Sequence, residues 1–130
     1  MLNEHKFDYL KGKRTISLTT YYKSGKGVAT PVEFVKSEDK LYVSTRITSY
    51  KVKRLKNNLN ALIAPCTMRG KIQGPQTNVQ VRILPEEEED SARETMKELY
   101  QGFFSKTLLK LTSWRDKEER VYLEISAINN

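Results

Sequence analysis

One segment of the chain combines a hydroxyl group and two cations at helical spacing. Ser49, Lys51 and Arg54 lie in the sequence SYKVKRL, where Val52 and Leu55 are spaced as on one apolar face of a helix. A hydroxyl at a helix start, free backbone N–H groups and two cations one turn apart all attract negative charge. Because Lys51 and Arg54 are three residues apart, both can face one phosphate. The alternative is a capped surface helix with solvated basic residues, and spacing alone favours it.

Other catalytic motifs are missing from the sequence. Gly25 and Gly27 lack the third glycine of a dinucleotide-binding loop, and residues 70–71 (Gly-Lys) are not followed by the hydroxyl residue of a P-loop. The single histidine, His5, argues against zinc ligand sets and histidine-based triads. The single cysteine, Cys66, excludes an internal disulfide and indicates a packed thiol. Redox chemistry would therefore come from a bound cofactor, and we assign no catalytic acid or base and no metal ligand.

The elements that must position these residues are mainly strands. Alternating apolar side chains predict strands over residues 14–22, 28–35, 41–45, 60–66, 77–84 and 120–128. Pro31 interrupts the second of these strands, so we expect it at a sheet edge, at a bulge or next to a ligand. Six or so short antiparallel strands with two helices predict a mainly β fold, a closed or partly closed barrel.

The two predicted helices follow the third and the fifth strand. The first lies within residues 49–59, with Thr48 or Ser49 as N-cap, residues 57–58 (Asn-Asn) as its stop and Leu59 as the last residue of its apolar stripe. The second begins at Pro85, and the acidic residues 86–90 oppose the positive end of its macrodipole. Its predicted buried stripe consists of Ala92, Met96, Leu99 and Phe103.

Composition and charge limit the class of protein. A chain of 130 residues, 38% hydrophobic and 30% charged, suits one domain over residues 1–130. The longest apolar run, 61–66, is too short to span a bilayer and the first ten residues have no apolar signal core, so we expect a cytoplasmic protein without membrane association. Residues 1–84 carry 16 basic and 5 acidic side chains, whereas residues 85–130 carry 7 and 11. This split suggests an anionic ligand or complementary faces between subunits, although a solvated charged surface also explains part of it.

Four segments in order carry a family resemblance. They are TPVEFV at 30–35, LYVST at 41–45, SYKVKRL at 49–55 and APCTMRG at 64–70. In this order and spacing the chain resembles the pyridoxamine 5'-phosphate oxidase-like, FMN-binding split β-barrels, and among them the deazaflavin (coenzyme F-420)-dependent oxidoreductases. The resemblance runs from about residue 7 to residue 128, and its specificity lies in the combination of the segments.

The resemblance implies a homodimer of split barrels with two cofactor sites at the dimer interface. The flavin or deazaflavin ring would lie against the strand that contains Thr30, Pro31 and Val32. Ala64 and Pro65 would line the ring pocket from a neighbouring strand.

The resemblance also implies a phosphate site. Its residues would be Ser44, Thr45, Ser49, Lys51 and Arg54. The family often has a glycine between the serine and the lysine, where this chain has Tyr50, which could cover the cofactor or point into solvent.

The predicted function is an FMN- or coenzyme F-420-dependent oxidoreductase that transfers hydride to a small substrate, and the sequence does not separate the two cofactors. A protein of another class stays open: a basic β-barrel that binds single-stranded nucleic acid by stacking. That alternative needs aromatic side chains across one exposed sheet face. The candidates are Tyr9, Tyr21, Tyr22, Tyr42 and Tyr50. A cofactor carrier, sensor or heme-handling protein without turnover is a third possibility.

Overall fold

The structure, a computed structural model, describes residues 6–97 and 120–128. In these residues seven strands form one curled antiparallel sheet, a half-barrel. The strands are β1 (Thr15–Tyr21), β2 (Gly27–Glu33), β3 (Val35–Ser37), β4 (Lys40–Arg46), β5 (Asn60–Pro65), β6 (Thr77–Ile83) and β7 (Arg120–Ala127). The α-helices are α1 (Tyr50–Asn57) and α2 (residues 86–97). The predicted mainly β split barrel with two helices is confirmed, with one strand more than expected.

The additional strand arises at Phe34, which divides the predicted strand over 28–35 into β2 and β3. The sheet order β2-β1-β5-β6-β7-β4-β3 places these two strands at opposite ends of the sheet. Phe34 is buried, and its N–H donates to the Arg14 carbonyl at 3.1 Å. The alternation does not reveal this break, because Val32 and Phe34 both pack in the main core and keep the period of two across it, whereas Val35 packs in the cluster under α2.

The split of the barrel lies where the two ends of the sheet approach each other. β2 comes close to β4 there, although the two strands do not pair. Pro31 lies on β2, opposite Ser17 of β1. The expected edge position of Pro31 is confirmed, and it suits a residue that has no N–H to donate to a second strand.

The core fills the inner face of the curled sheet, and α1 closes one end of it. Val52 and Leu55 of α1 are fully buried against the inner residues of the strands. The helix stops at Asn57, as predicted, and the N–H of the C-cap residue Asn58 donates to the Arg54 carbonyl at 3.0 Å. The prediction that Leu59 completes the helix stripe is therefore wrong, since Leu59 lies beyond the helix and is exposed.

The second helix packs on the outer face of the sheet. Ala92 and Met96 are buried there against Tyr122 of β7, as the predicted stripe requires. The other two predicted members, Leu99 and Phe103, lie outside the described residues. No helix in the described ranges is long and apolar enough to cross a bilayer.

Candidate functional site

The start of α1 has backbone donors without acceptors in the described part of the chain. Ser49 occupies the N-cap position, as predicted, but its hydroxyl makes no capping hydrogen bond. It accepts instead a long hydrogen bond of 3.5 Å from Thr45 Oγ1 on β4. The backbone N–H groups of Tyr50 and Lys51 have no acceptor among the described residues. The positive end of the helix thus has donors to offer to an anion.

Lys51 carries its charge beside the same hydroxyls. Its Nζ donates to Thr45 Oγ1 at 3.3 Å, and no carboxylate within the described ranges pairs with it. Partial burial lowers the pKa of Lys51, and the charges of Arg54, Arg120 and Arg46 lower it further. A negative ligand would relieve both the desolvation and the repulsion.

Arg54 lies one turn further along α1 and is only 5% exposed. Its Nε donates to Thr20 Oγ1 on β1 at 2.6 Å, and its guanidinium lies 5.4 Å from the ring centroid of Tyr22. The terminal N–H groups of Arg54 have no hydrogen-bond partner in the described part of the chain. Because the guanidinium is held at its base, these donors are preorganised for an oxyanion.

Ser44 stands apart from this group. Successive strand residues point to opposite faces, so Thr45 faces inward while Ser44 faces outward. Ser44 accepts hydrogen bonds from Arg120, through its Oγ from Nε at 2.7 Å and through its carbonyl oxygen at 3.2 Å. The structure brings Thr45, Ser49 and Lys51 together and places Ser44 on the other side of β4.

Two cations near the site were missed in the sequence, Arg46 and Arg120. They lie directly opposite each other in the register of β4 and β7. Both are close enough to Lys51 to lower its pKa. No local pattern could have identified Arg120, because its position depends on pairing between strands far apart in the chain.

The predicted ring-contacting residues meet across β1. In one row of the sheet Pro31 of β2 and Ala64 of β5 flank Ser17, and in the adjacent row Val32 and Pro65 lie on either side of β1. The two rows face opposite sides of the sheet. The structure therefore gathers these residues into one patch of backbone, with side chains on both faces.

Thr30 links this patch to the helix. It pairs with Leu18, so its side chain faces the inside of the barrel, and its Oγ1 is buried without a hydrogen-bond partner. The next inward residue of β2, Val28, is paired with Thr20, which binds Arg54. The unpartnered hydroxyl of Thr30 and the guanidinium of Arg54 thus lie along the same stretch of β1 and β2.

The remaining reactive groups offer little chemistry of their own. Cys66 is buried, and burial raises the pKa of its thiol, which fits the predicted packed cysteine. No group of three metal-ligating side chains occurs in the ranges that the structure describes.

Comparison with known proteins supports the fold. No family model and no curated protein matches the sequence. A candidate pyridoxamine 5'-phosphate oxidase from Listeria innocua matches with a TM-score of 0.65 and 12% identity, over 99% of this chain and 95% of its own. The heme storage protein HutZ from Vibrio cholerae matches with a TM-score of 0.67 and 8% identity, over 95% of this chain and 87% of its own.

The chain therefore has the same split β-barrel fold as these proteins, and this is the fold that the resemblance of its motifs implies. An F420 reductase has the same fold, with a TM-score of 0.57 and 14% identity, over 95% of this chain and 93% of its own.

Proposed function

We propose that this protein is an oxidoreductase that binds FMN or coenzyme F-420 and transfers hydride between that cofactor and a small molecule. The observation that carries the proposal is the group formed by Thr45, Ser49, Lys51 and Arg54 at the start of α1. It combines two cations, two hydroxyls and an uncapped helix end, with no carboxylate bound to either cation among the described residues. Such a donor set fits a phosphate group.

The ring of the cofactor would lie on the patch formed by β2, β1 and β5. Thr30 offers an inward hydroxyl that has no partner there, and Pro31 offers a strand edge without an N–H. Ala64 and Pro65 border the same patch from β5. When bound, the flavin or deazaflavin ring supplies the hydride chemistry, while these residues bind it and orient it.

The proposal includes a homodimer with cofactor sites between the subunits. Several large side chains near the candidate site are exposed in the single chain. Among them are Tyr22 at 45% exposure, Ile47 at 39% and Tyr50 at 71%. A second copy would cover such side chains, and its surface would complete a pocket that one half-barrel leaves open.

Two other functions have less support. For nucleic acid, the tyrosines do not share one exposed sheet face, since Tyr42 packs against the cluster under α2 and Tyr50 lies on α1. For heme, HutZ has the same fold, but the sequence contains one histidine, His5, and the thiol of Cys66 is buried. Histidine and thiolate ligands for heme iron are therefore scarce.

Titration of the purified protein with FMN and with coenzyme F-420 tests the proposal, with cofactor fluorescence and native mass spectrometry as readouts. We expect one of them to bind at one per subunit of a dimer. Binding of neither cofactor would overturn the proposal, and binding of heme or of single-stranded nucleic acid would then favour one of the two alternatives.

A further inference from the structure

The chain after β5 folds back on the last residue of that strand. The Thr67 N–H donates to the Lys71 carbonyl at 2.9 Å, and the Lys71 N–H donates to Thr67 Oγ1 at 3.0 Å. The returning limb then reaches Pro65, whose carbonyl oxygen accepts the Gln73 N–H at 2.8 Å. We name residues 66–74 the return hairpin.

Gly74 ends the return hairpin directly on the ring of Pro65. A Cβ atom at Gly74 would lie 2.7 Å from Pro65 Cγ, closer than carbon atoms tolerate, and 3.4 Å from Cδ. The ring of Pro65 is stiff and buried, and its backbone is paired with Ile16 of β1, so it has little freedom to move away. Only glycine allows this approach of the two segments.

We infer that Gly74 is a positioning residue that fixes the ring of Pro65 and thereby sets the width of the cofactor ring pocket. The inference rests on the proposed function, in which Pro65 borders that pocket. A methyl group at position 74 presses on Pro65 from the side of the return hairpin, so Pro65 or the hairpin must shift. The phosphate-binding groups belong to β4 and α1 and have no contact with Gly74 in the described residues.

The test compares the wild type with Gly74→Ala in titrations with FMN, with coenzyme F-420 and with inorganic phosphate. We expect Gly74→Ala to weaken binding of whichever cofactor the wild type binds by about tenfold, through overpacking at Pro65. Binding of inorganic phosphate should stay unchanged, and the visible spectrum of the bound cofactor should shift. A purely structural defect would not separate the cofactor from phosphate in this way.

Gly70→Ala is the matched control, because Gly70 lies in the same hairpin with a φ of +94° and nothing within 4 Å of its missing Cβ. It should lower thermal stability and leave cofactor affinity unchanged. The double variant Gly74→Ala/Pro65→Ala removes the clash, so adding Gly74→Ala to Pro65→Ala should have no effect on affinity. The comparison of Pro65→Ala with the double variant still tests the inference if Gly74→Ala alone does not fold.

Two results would overturn the inference and leave the proposed function standing. The first is equal cofactor affinity in Gly74→Ala and the wild type. The second is that Gly74→Ala lowers cofactor affinity by the same factor in the wild type and in Pro65→Ala. If the wild type binds neither cofactor, the proposed function fails and the inference fails with it.

Discussion

Lys51 carries a half-buried charge beside Arg54, Arg46 and Arg120, an arrangement that is unfavourable without an anion. Its neighbour on the helix, Lys53, is exposed and lies over the ring of Tyr50 at 5.1 Å. Comparing variants of the two lysines therefore distinguishes a direct role in cofactor binding from a general effect of positive charge.

We expect Lys51→Met to weaken binding of the cofactor by about 10- to 100-fold, because a charge-assisted contact contributes about 1.5–3 kcal/mol. The cofactor-free variant should be as stable as the wild type, since the substitution removes an unfavourable charge and keeps the apolar stem. Isothermal titration and urea unfolding measure the two effects. Lys53→Met is the control, and an equal loss of affinity in both variants would contradict the assignment of Lys51.

The lowered pKa of Lys51 also predicts how binding depends on pH. A lysine with a lowered pKa loses its proton at a pH below 10.5, the ordinary pKa of lysine. As the pH rises, the charge that attracts phosphate is therefore lost at a lower pH than in an ordinary lysine. A bound phosphate favours the protonated lysine, so affinity should fall between the lower pKa of the free protein and the higher pKa of the complex. Titrations at increasing pH, up to the ordinary lysine value of 10.5, should show this decrease in the wild type and a flatter profile in Lys51→Met.

The unpartnered hydroxyl of Thr30 gives a second test at this scale. In the cofactor-free protein Thr30→Val should raise the free energy of unfolding by about 1 kcal/mol, because it removes an unsatisfied buried group. If the cofactor supplies the missing partner, the same variant should bind it less tightly. Thr19→Val on the opposite face of β1 is the control. A stabilised Thr30→Val variant with unchanged affinity would leave Thr30 outside the site.

At the scale of the elements, β4, β7, β6 and α2 are joined by one polar network on the outer face. The Tyr42 hydroxyl donates to Glu124 Oε2 at 3.1 Å, Arg82 Nε donates to Glu124 Oε1 at 3.2 Å, and Arg82 also binds Glu88 through two bonds of 2.9 Å. Burial, followed by the charge of Glu124 and the hydrogen bond to it, raises the pKa of Tyr42 to about 12.

This network predicts a loss of stability in alkali. Because the pKa of Tyr42 is higher in the folded chain than in the unfolded chain, its contribution is complete below about pH 10 and is lost as the pH rises towards 12. Tyr42→Phe should therefore be less stable than the wild type at neutral pH, and the difference should shrink between about pH 10 and pH 12. Urea unfolding of both proteins measures it, with Tyr21→Phe as control. A difference independent of pH would argue against the raised pKa.

Some features of the strands and helices follow from local sequence patterns, and others depend on contacts between distant residues. Period-2 alternation predicts β1 and β7, and a proline with no donor predicts the edge position of Pro31, because these features depend on local physics. The same alternation implies that Ser44 and Thr45 face opposite sides of the sheet. Only the fold shows that Arg120 donates a hydrogen bond to Ser44. The uncapped Ser49 and the break at Phe34 depend on tertiary contacts, so local propensity could not predict them.

At the scale of the whole molecule, the charge division along the chain has a spatial counterpart. The cations near the site come from β4, α1 and β7, whereas the acidic start of α2 lies on the outer face, where Glu88 binds Arg82. Within the described residues, the cations near the site and the acidic start of α2 therefore lie on different parts of the molecule. The exposed aromatic and aliphatic side chains around α1 would suit an interface near the basic end.

If the cofactor site lies between two copies, binding of the cofactor and formation of the dimer must be linked. A ligand that binds the dimer and not the monomer raises the dimer fraction, and its apparent affinity falls as the protein is diluted. We therefore expect FMN or coenzyme F-420 to shift sedimentation towards the dimer. We also expect the apparent dissociation constant to rise at protein concentrations where the free chain is monomeric. Tyr50→Asp, which replaces the tyrosine that is 71% exposed at the start of α1 with a charged residue, should weaken the dimer and the cofactor binding together. A monomer that binds the cofactor with full affinity at every dilution would show that one half-barrel is sufficient, and the shared site would have to be abandoned.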